Sequence, residues 1–287
     1  MNEEVEKSPT DKLTRRQREG TSETAAKRVA THFNEELALT GVLIYHYTTI
    51  ATLSSVVSSG ELWMSDATFI NDRSELEIGL ELVRNQLSIA SQAAELESYI
   101  EKSNAGHVGA LLEGVKSRLE TEKRPEVYVC CFSRESDDLP QWRAYGGQGT
   151  GVALGLRAGA DMFGKNPETL LKPVFYNTDD QKLIIDTVIE EWSRNLEDSL
   201  EDDNEDILHV VDSWTRRLWH DLWRYIVSFK QADFRAEREV RYVYLMHDYR
   251  EFLDSVGLEQ PTPRFRERGG LLVPYLTTKT ASIVGSV

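Results

Sequence analysis

The chain has 287 residues, of which 28% are charged and 40% are apolar, a balance typical of a globular protein. Its formal net charge of -15 argues against a protein whose main task is non-specific binding to nucleic acid. The only two cysteines, Cys130 and Cys131, are too few for a disulfide framework or a cysteine-based zinc site, and no apolar run reaches transmembrane length. We therefore expect a cytoplasmic protein with no membrane partner.

The first elements are predicted from local patterns. Residues 1–20 are polar and lack apolar periodicity, which predicts a disordered N-terminal segment. Apolar residues at helical spacing predict a helix from Ser22 to Leu39. A strand centred on Ile44 to Tyr47 follows, then a helix that Gly60 ends and a second short strand, ELWMS.

The segment FINDRSE precedes a long predicted helix that runs to about Ile100. Asn71 or Asp72 can cap this helix, and Glu75 stands where the capping-box partner of Asp72 is expected. This interpretation explains Asp72 and Glu75 without any ligand. Asn71 remains a candidate for ligand binding, because the cap does not need both residues.

The second half of the chain alternates short strands with long helices. EVYVCCFS, at 126–133, predicts a buried strand, and GTGVALGL and KPVFYN predict two more. Residues 179–229 have the pattern of two long helices. We predict an α+β fold with a central split or mixed β-sheet flanked by helices, in a single domain over residues 21–287 with a helical insertion at about 179–229.

The segment FRAEREVRYVYL, from Phe234 to Leu245, predicts a strand that begins with charged residues. With a period of two, Glu237, Glu239 and Arg241 would share one face. Arg241 could hold one carboxylate ionised and leave the other for hydrogen bonding or base work. A solvent-exposed salt-bridge ladder remains an equal alternative.

Two further segments can be interpreted either as ligand-binding sites or as ordinary parts of the fold. His46 ends a strand that leads into a capped helix, where free N–H groups suit anionic ligands. A lone histidine is nevertheless more often hydrogen-bonded within the fold. RFRER, at 264–268, is the one candidate near these sites for a basic groove, and we interpret it as a solvated loop.

Several of these motifs together resemble a known family. LIYHYTT, GELWMS, FINDRSE, VCCFS, QWRAYGGQGTGVALGL and FKQADFRAEREVRYV follow in order over roughly residues 42–287. This series resembles the bacterial family called domain of unknown function 2971, whose members are often described as hypothetical or abortive-infection-type proteins. Some members lie near phage-defence genes. The family name supplies no chemistry, so a function must be argued from the site.

The order strand–His–helix, strand–Ser, strand–Glu-x-Glu is similar to the pattern of ADP-ribosyltransferases. In that superfamily a His or Arg on the first strand contacts NAD, a Ser or Tyr motif lies on the second, and a glutamate lies on the third. The resemblance maps these positions onto His46, Ser133 and Glu239, with Glu237 as companion. It implies an ADP-ribosyltransferase-like fold with NAD as substrate and no metal.

The resemblance also implies roles for the residues. Glu239 would bind the ribose 2-OH and stabilise an oxocarbenium-like state, and Glu237 would orient or deprotonate the nucleophile. His46 would contact the other ribose, and Arg241 or Lys230 would keep the carboxylates ionised or touch the pyrophosphate. The other candidates for NAD binding are Tyr47, Thr48, Asn71, Ser133 and Tyr145.

We therefore expect an NAD-using ADP-ribosyltransferase or NAD glycohydrolase that acts as a toxin-like effector in phage defence. Its acceptor, whether protein, nucleic acid or small molecule, is not identified by the sequence, and a defence-system partner protein is compatible with this role. One alternative is a metal-dependent nuclease that uses Asp72, Glu75, Glu237 and Glu239. The other is a non-catalytic sensor or interaction module.

Overall fold

A computed structural model describes seven parts of the chain, which are residues 39, 41–69, 74–101, 105–158, 169–200, 207–246 and 261–280. The predicted disordered segment 1–20 lies outside these parts, as do Asn71 and Asp72. The helix predicted from Ser22 also lies outside them, except for its last residue.

The described residues form helices and strands that alternate irregularly along the chain. The helices are α1 (Ile50–Ser59), α2 (Ser74–Glu101), α3 (Ala105–Thr121), α4 (Leu139–Ala144), α5 (Thr178–Ser199) and α6 (Ile207–Ile226). The strands are β1 (Leu43–Thr48), β2 (Glu61–Asp66), β3 (Glu126–Ser133), β4 (Val152–Arg157), β5 (Thr169–Pro173), β6 (Glu239–Met246), β7 (Arg264–Arg268) and β8 (Leu271–Lys279).

Strand β3 is the branching point of the sheet. One of its edges pairs with β6 along the whole length of both strands. Two strands share its other edge: β1 reaches only Ser133, through Tyr45, whereas β2 pairs further along, at Val129 and Tyr128. Since β1 and β2 diverge from one edge, the sheet is split between them.

The remaining strands extend both sides of this split. β4 pairs with β1, β5 pairs with β6, and β8 and β7 follow β2. All these pairings between described strands are antiparallel. The predicted α+β class, with a sheet flanked by helices, is confirmed, and the sheet takes the split form rather than the mixed one.

Helices cover the two faces of the sheet unequally. Apolar side chains of α2, α3, α5 and α6 form the larger core with one face, which includes Val129 and Val243. Val56 of α1 packs on the other face in a smaller core. Helix α5 begins after Asn177, whose side chain accepts hydrogen bonds from the N–H groups of Asp179 and Asp180. No helix in the described parts is long and apolar enough to cross a membrane.

The strand predicted from Phe234 begins later than the sequence suggests. Residues Ala232–Glu237 form a 3₁₀ helix, and Arg238 follows with φ at 44°, in the left-handed region. Strand β6 starts only at Glu239. The prediction that Glu237 shares a strand face with Glu239 and Arg241 is therefore wrong, because the backbone turns between the two glutamates.

RFRER is also not the predicted solvated loop. It forms strand β7, which pairs with β8 from Arg264 opposite Tyr275 to Arg268 opposite Leu271. Gly269 and Gly270 join the strands with φ of 61° and 80°, values that other residues adopt at a cost. The glycine pair thus makes a two-residue hairpin turn and fixes the register of β7.

Candidate functional site at the split of the sheet

The strand register aligns three polar side chains across three neighbouring strands. Tyr45 of β1 stands opposite Ser133 of β3, which stands opposite Glu239 of β6. Partners in antiparallel strands point to the same face, so these three residues form a row on the face that α2 and α6 cover. The sequence mapping chose His46 for the first position of this row, but the register places Tyr45 there.

His46 points to the other face and contacts the backbone of the central strand. Its Nδ1 lies 2.9 Å from the carbonyl oxygen of Cys131, and its ring packs 5.7 Å from that of Phe132. A carbonyl can only accept, so Nδ1 carries the proton and Nε2 is left as an acceptor. Burial lowers the pKa of His46 below 6.5, which leaves the imidazole neutral at pH 7.

Three carboxylates surround the ammonium group of Lys230. Its Nζ donates to Glu237 Oε2 at 2.6 Å and to Glu239 Oε2 at 3.1 Å, and it lies 3.1 Å from Glu75 Oε1. Lys230 is only 6% exposed. The acidic residues come from helix α2, the 3₁₀ helix and strand β6, so this contact joins three elements.

Arg241 forms the second half of this ionic cluster. Its Nε donates to Glu239 Oε1 at 2.8 Å, and its Nη2 donates to Glu239 Oε2 at 3.0 Å. Nη2 also donates to Glu75 Oε2 at 2.7 Å, and Nη1 donates to the carbonyl of Val227 at 2.6 Å. Both oxygens of Glu239 are thus held by fixed donors.

Glu237 and Glu239 have opposite electrostatic environments. Burial alone would raise the pKa of Glu239, but the charge and hydrogen bonds of Arg241, with the charge of Lys230, lower it to about 2. Burial raises the pKa of Glu237 above its ordinary 4.5, and its bond to Lys230 offsets only part of that effect. Glu237 is also the more accessible of the two, with 18% of its side chain exposed against 7%.

Glu75 is a member of this cluster that the sequence analysis assigned to a helix cap or, in the nuclease alternative, to a metal ion. The capping-box hypothesis assigned it to Asp72, yet its two oxygens engage Lys230 and Arg241. Glu75 is 3% exposed. Its partners lie more than 150 positions away in the chain, so no local pattern in the sequence could have revealed this role.

Ser133 and Tyr47 shape the loops around the cluster. The hydroxyl of Ser133 donates to the carbonyl of Glu237 at 2.8 Å and accepts from the N–H of Glu135. The hydroxyl of Tyr47 donates to the carbonyl of Glu135 at 2.8 Å and accepts from the N–H of Asp138. Both side chains hold backbone that borders the site.

One cavity of about 770 Å³ lies at the split and brings the predicted residues together. The predicted residues that line it are His46, Tyr47, Thr48, Ser133, Tyr145, Lys230, Glu237, Glu239 and Arg241. Burial raises the pKa of Tyr145 to about 12, so its hydroxyl stays protonated at neutral pH. Asn71, the remaining candidate for NAD binding, falls outside the described parts of the chain.

The carboxylates of the site converge on a cation that belongs to the protein. Among the described residues, no group of three or more His, Cys, Asp or Glu side chains is arranged to hold a metal ion. Glu75, Glu237 and Glu239 instead all contact the ammonium of Lys230. Lys230 therefore fills the position that a cation would take among these three groups.

The family model described as "Protein of unknown function (DUF2971)" matches residues 141–242. This match supports the family that the sequence motifs predicted, over about a third of the chain, and it includes Tyr145, Lys230, Glu237, Glu239 and Arg241. No curated protein and no solved structure matches the chain.

Proposed function

We propose that this member of the domain of unknown function 2971 family binds NAD in the cavity at the split of the sheet and breaks its nicotinamide–ribose bond. ADP-ribose would pass to an acceptor or to water. One observation carries the proposal: residues that the ADP-ribosyltransferase pattern selects from separate strands line a single cavity. The role as a toxin-like effector in phage defence rests on the family resemblance alone.

The size and lining of the cavity fit a dinucleotide. Pockets for small molecules and cofactors occupy roughly 300–1,000 Å³, and this cavity measures about 770 Å³. It runs from His46 on one side of the split to the ionic cluster on the other. A ligand there would contact fixed polar groups from several strands, which is the arrangement that positions a reacting bond.

Glu237 is better suited than Glu239 to contact the ribose. Arg241 and Lys230 already hold both oxygens of Glu239. Lys230 binds Oε2 of Glu237, and the greater exposure of this side chain leaves its carboxylate accessible from the cavity. We therefore change the roles expected from the sequence: Glu237 contacts the ribose in place of Glu239, and Glu239 positions Lys230.

In the proposed step, the bond between the nicotinamide nitrogen and ribose C1′ breaks. Its electron pair leaves with nicotinamide, which becomes neutral, and positive charge develops on the ribose. The carboxylate of Glu237 stabilises that charge through the ribose 2-OH, as carboxylates do in glycoside hydrolysis. The acceptor or a water molecule then bonds to C1′ and releases its proton.

The test is release of nicotinamide from NAD, followed by mass spectrometry with and without a cell lysate. We expect release by the wild type and at least a hundredfold loss in Glu237→Gln, roughly the contribution of one electrostatic contact to the charge that develops in a transition state. Glu135→Gln is the matched control, because Glu135 lies two residues beyond Ser133 and does not line the cavity. Absence of release under all these conditions would overturn the proposal.

The same geometry favours a non-catalytic sensor as the second candidate. Glu239 and Arg241 satisfy each other inside the protein, as charged groups with a purely structural role do. In that case no nicotinamide is released, whether or not NAD binds. The metal-dependent nuclease gains less support, because Lys230 already bridges three of its four proposed ligands.

A further inference from the structure

A second polar group borders the same cavity, at the hairpin of β7 and β8. Arg266 projects from β7 and lines the cavity together with Trp63 and Ser65 of β2. Its Nη2 donates to the hydroxyl of Ser65 at 2.7 Å. Its guanidinium lies 5.3 Å from the ring of Trp63 and 6.0 Å from that of Tyr275.

Arg266 is half-buried and differs from the buried cations Lys230 and Arg241 because no carboxylate pairs with it among the described residues. Its Nε is buried and has no hydrogen-bond acceptor within those parts of the chain. A buried N–H of a guanidinium without an acceptor costs free energy, and that cost is unexpected in a chain with a net charge of -15. A bound anion would recover it.

We propose that Arg266, held by Ser65 and flanked by Trp63, is the binding site for a phosphate group of a nucleotide substrate. The planar fork of an arginine matches a phosphate, and the aromatic rings fix its orientation. This inference rests on the proposed function, since it assigns one end of the NAD cavity to the pyrophosphate and the other to the nicotinamide ribose. A phosphate here also explains why an acidic protein keeps a basic strand at this edge.

The experiment is calorimetric titration of the whole protein with ADP, which has the phosphates but no nicotinamide ribose. Adenosine serves as the ligand that lacks phosphate. We expect ADP to bind and adenosine to bind at least tenfold more weakly. Arg266→Gln should weaken ADP binding roughly 10- to 100-fold, the effect of losing a hydrogen bond to a charged group.

Two variants keep this test specific. Arg264→Gln removes a charge from the same strand at a position that does not line the cavity, and it should leave ADP affinity within about twofold. Arg266→Lys keeps the charge without the fork and should recover only part of the affinity. Equal ADP affinity in Arg266→Gln and wild type, or equal binding of ADP and adenosine, would overturn the inference.

Measurement of NAD turnover distinguishes a failure of this inference from a failure of the proposed function. If ADP binding depends on Arg266 but NAD releases no nicotinamide, the phosphate site stands and the glycosidic chemistry fails. If NAD is consumed and Arg266→Gln changes neither KM nor ADP affinity, the chemistry stands and the phosphate site fails. If both stand, Arg266→Gln raises KM while kcat stays near the wild-type value.

Discussion

The two ends of the cavity balance their charges in different ways. At the end formed by β6 and α2, three carboxylates meet two cations, and nearly every donor and acceptor has a partner within the protein. At the end formed by β2, β7 and β8, the guanidinium of Arg266 contacts only the hydroxyl of Ser65 and the rings of Trp63 and Tyr275 among the described residues. The charges of the first end are therefore paired within the protein, whereas the charge of Arg266 at the second end is paired by a bound ligand.

This difference suggests how the work of the site is divided. Groups that satisfy one another, such as Glu239 and Arg241, hold the strands and helices in place. Groups with remaining capacity, such as Glu237 and Arg266, contact the substrate. If the division holds, substitutions in the ionic cluster change mainly stability, whereas substitutions of the other groups change mainly turnover or binding.

The largest effect is expected from Arg241→Met. Removal of this 2% exposed cation leaves Glu75 and Glu239 buried with only Lys230 between them. Breaking a buried ion pair by removing one partner costs about 3–5 kcal/mol. Urea denaturation monitored by circular dichroism should show a loss of this size in the free energy of unfolding.

Arg216→Met is the control for that measurement. Arg216 forms an ion pair with Asp212 on helix α6, where both side chains are more than 40% exposed. Such surface pairs contribute about 1 kcal/mol or less. A loss of similar size in both variants would mean that the cluster around Arg241 holds the fold no more strongly than a surface pair does.

The next effect concerns acid stability. The pKa of Glu239 is about 2 in the folded protein against 4.5 ordinarily, so its contribution is complete above pH 4.5 and is lost as the pH falls towards 2. At about 1.4 kcal/mol for each tenfold change in proton affinity, this contribution amounts to roughly 3 kcal/mol. Glu239→Gln should therefore lower stability at pH 7 and flatten its dependence on pH between 5 and 2.5. If the stability of the variant fell with pH as steeply as that of the wild type, groups other than Glu239 would be responsible for the acid sensitivity.

Much of the fold follows from patterns within the sequence. Short apolar runs located β3 and β6, and the helical pattern of residues 179–229 located α5 and α6. The errors fall where backbone geometry breaks a pattern. Arg238 adopts a left-handed conformation that ends the 3₁₀ helix, and nothing in the letters EREVR marks that turn.

The sequence predicted only part of the site, because it shows which residues are close along the chain but not which distant segments pack together. Glu237, Glu239 and Arg241 are close in the chain, so their proximity could be inferred. Glu75 and Arg266 reach the same cavity from segments more than 150 positions apart, and only the packing of α2 and β7 brings them there. Tyr45 and His46 differ by one position, and the choice between them depends on the register of β1 against β3.

The pH dependence of turnover distinguishes the two glutamates. The proposed reaction needs Glu237 ionised, and burial raises the pKa of this group above 4.5. The rate of nicotinamide release at low NAD should therefore fall on the acid side with a midpoint above pH 4.5. A midpoint well below 4.5 would instead point to Glu239, whose pKa is about 2, and would restore the roles first expected from the sequence.

The smallest expected effect belongs to Trp63, which forms one wall beside Arg266. A cation over an exposed aromatic ring gains about 0.5–1 kcal/mol, so Trp63→Leu should weaken ADP binding roughly two- to fivefold. Phe265→Leu is the control, because Phe265 neighbours Arg266 on β7 and does not line the cavity. If Trp63→Leu weakened ADP as much as Arg266→Gln does, the ring would be binding the ligand directly. The basic end of the cavity would then recognise the base of the nucleotide as well as its phosphate.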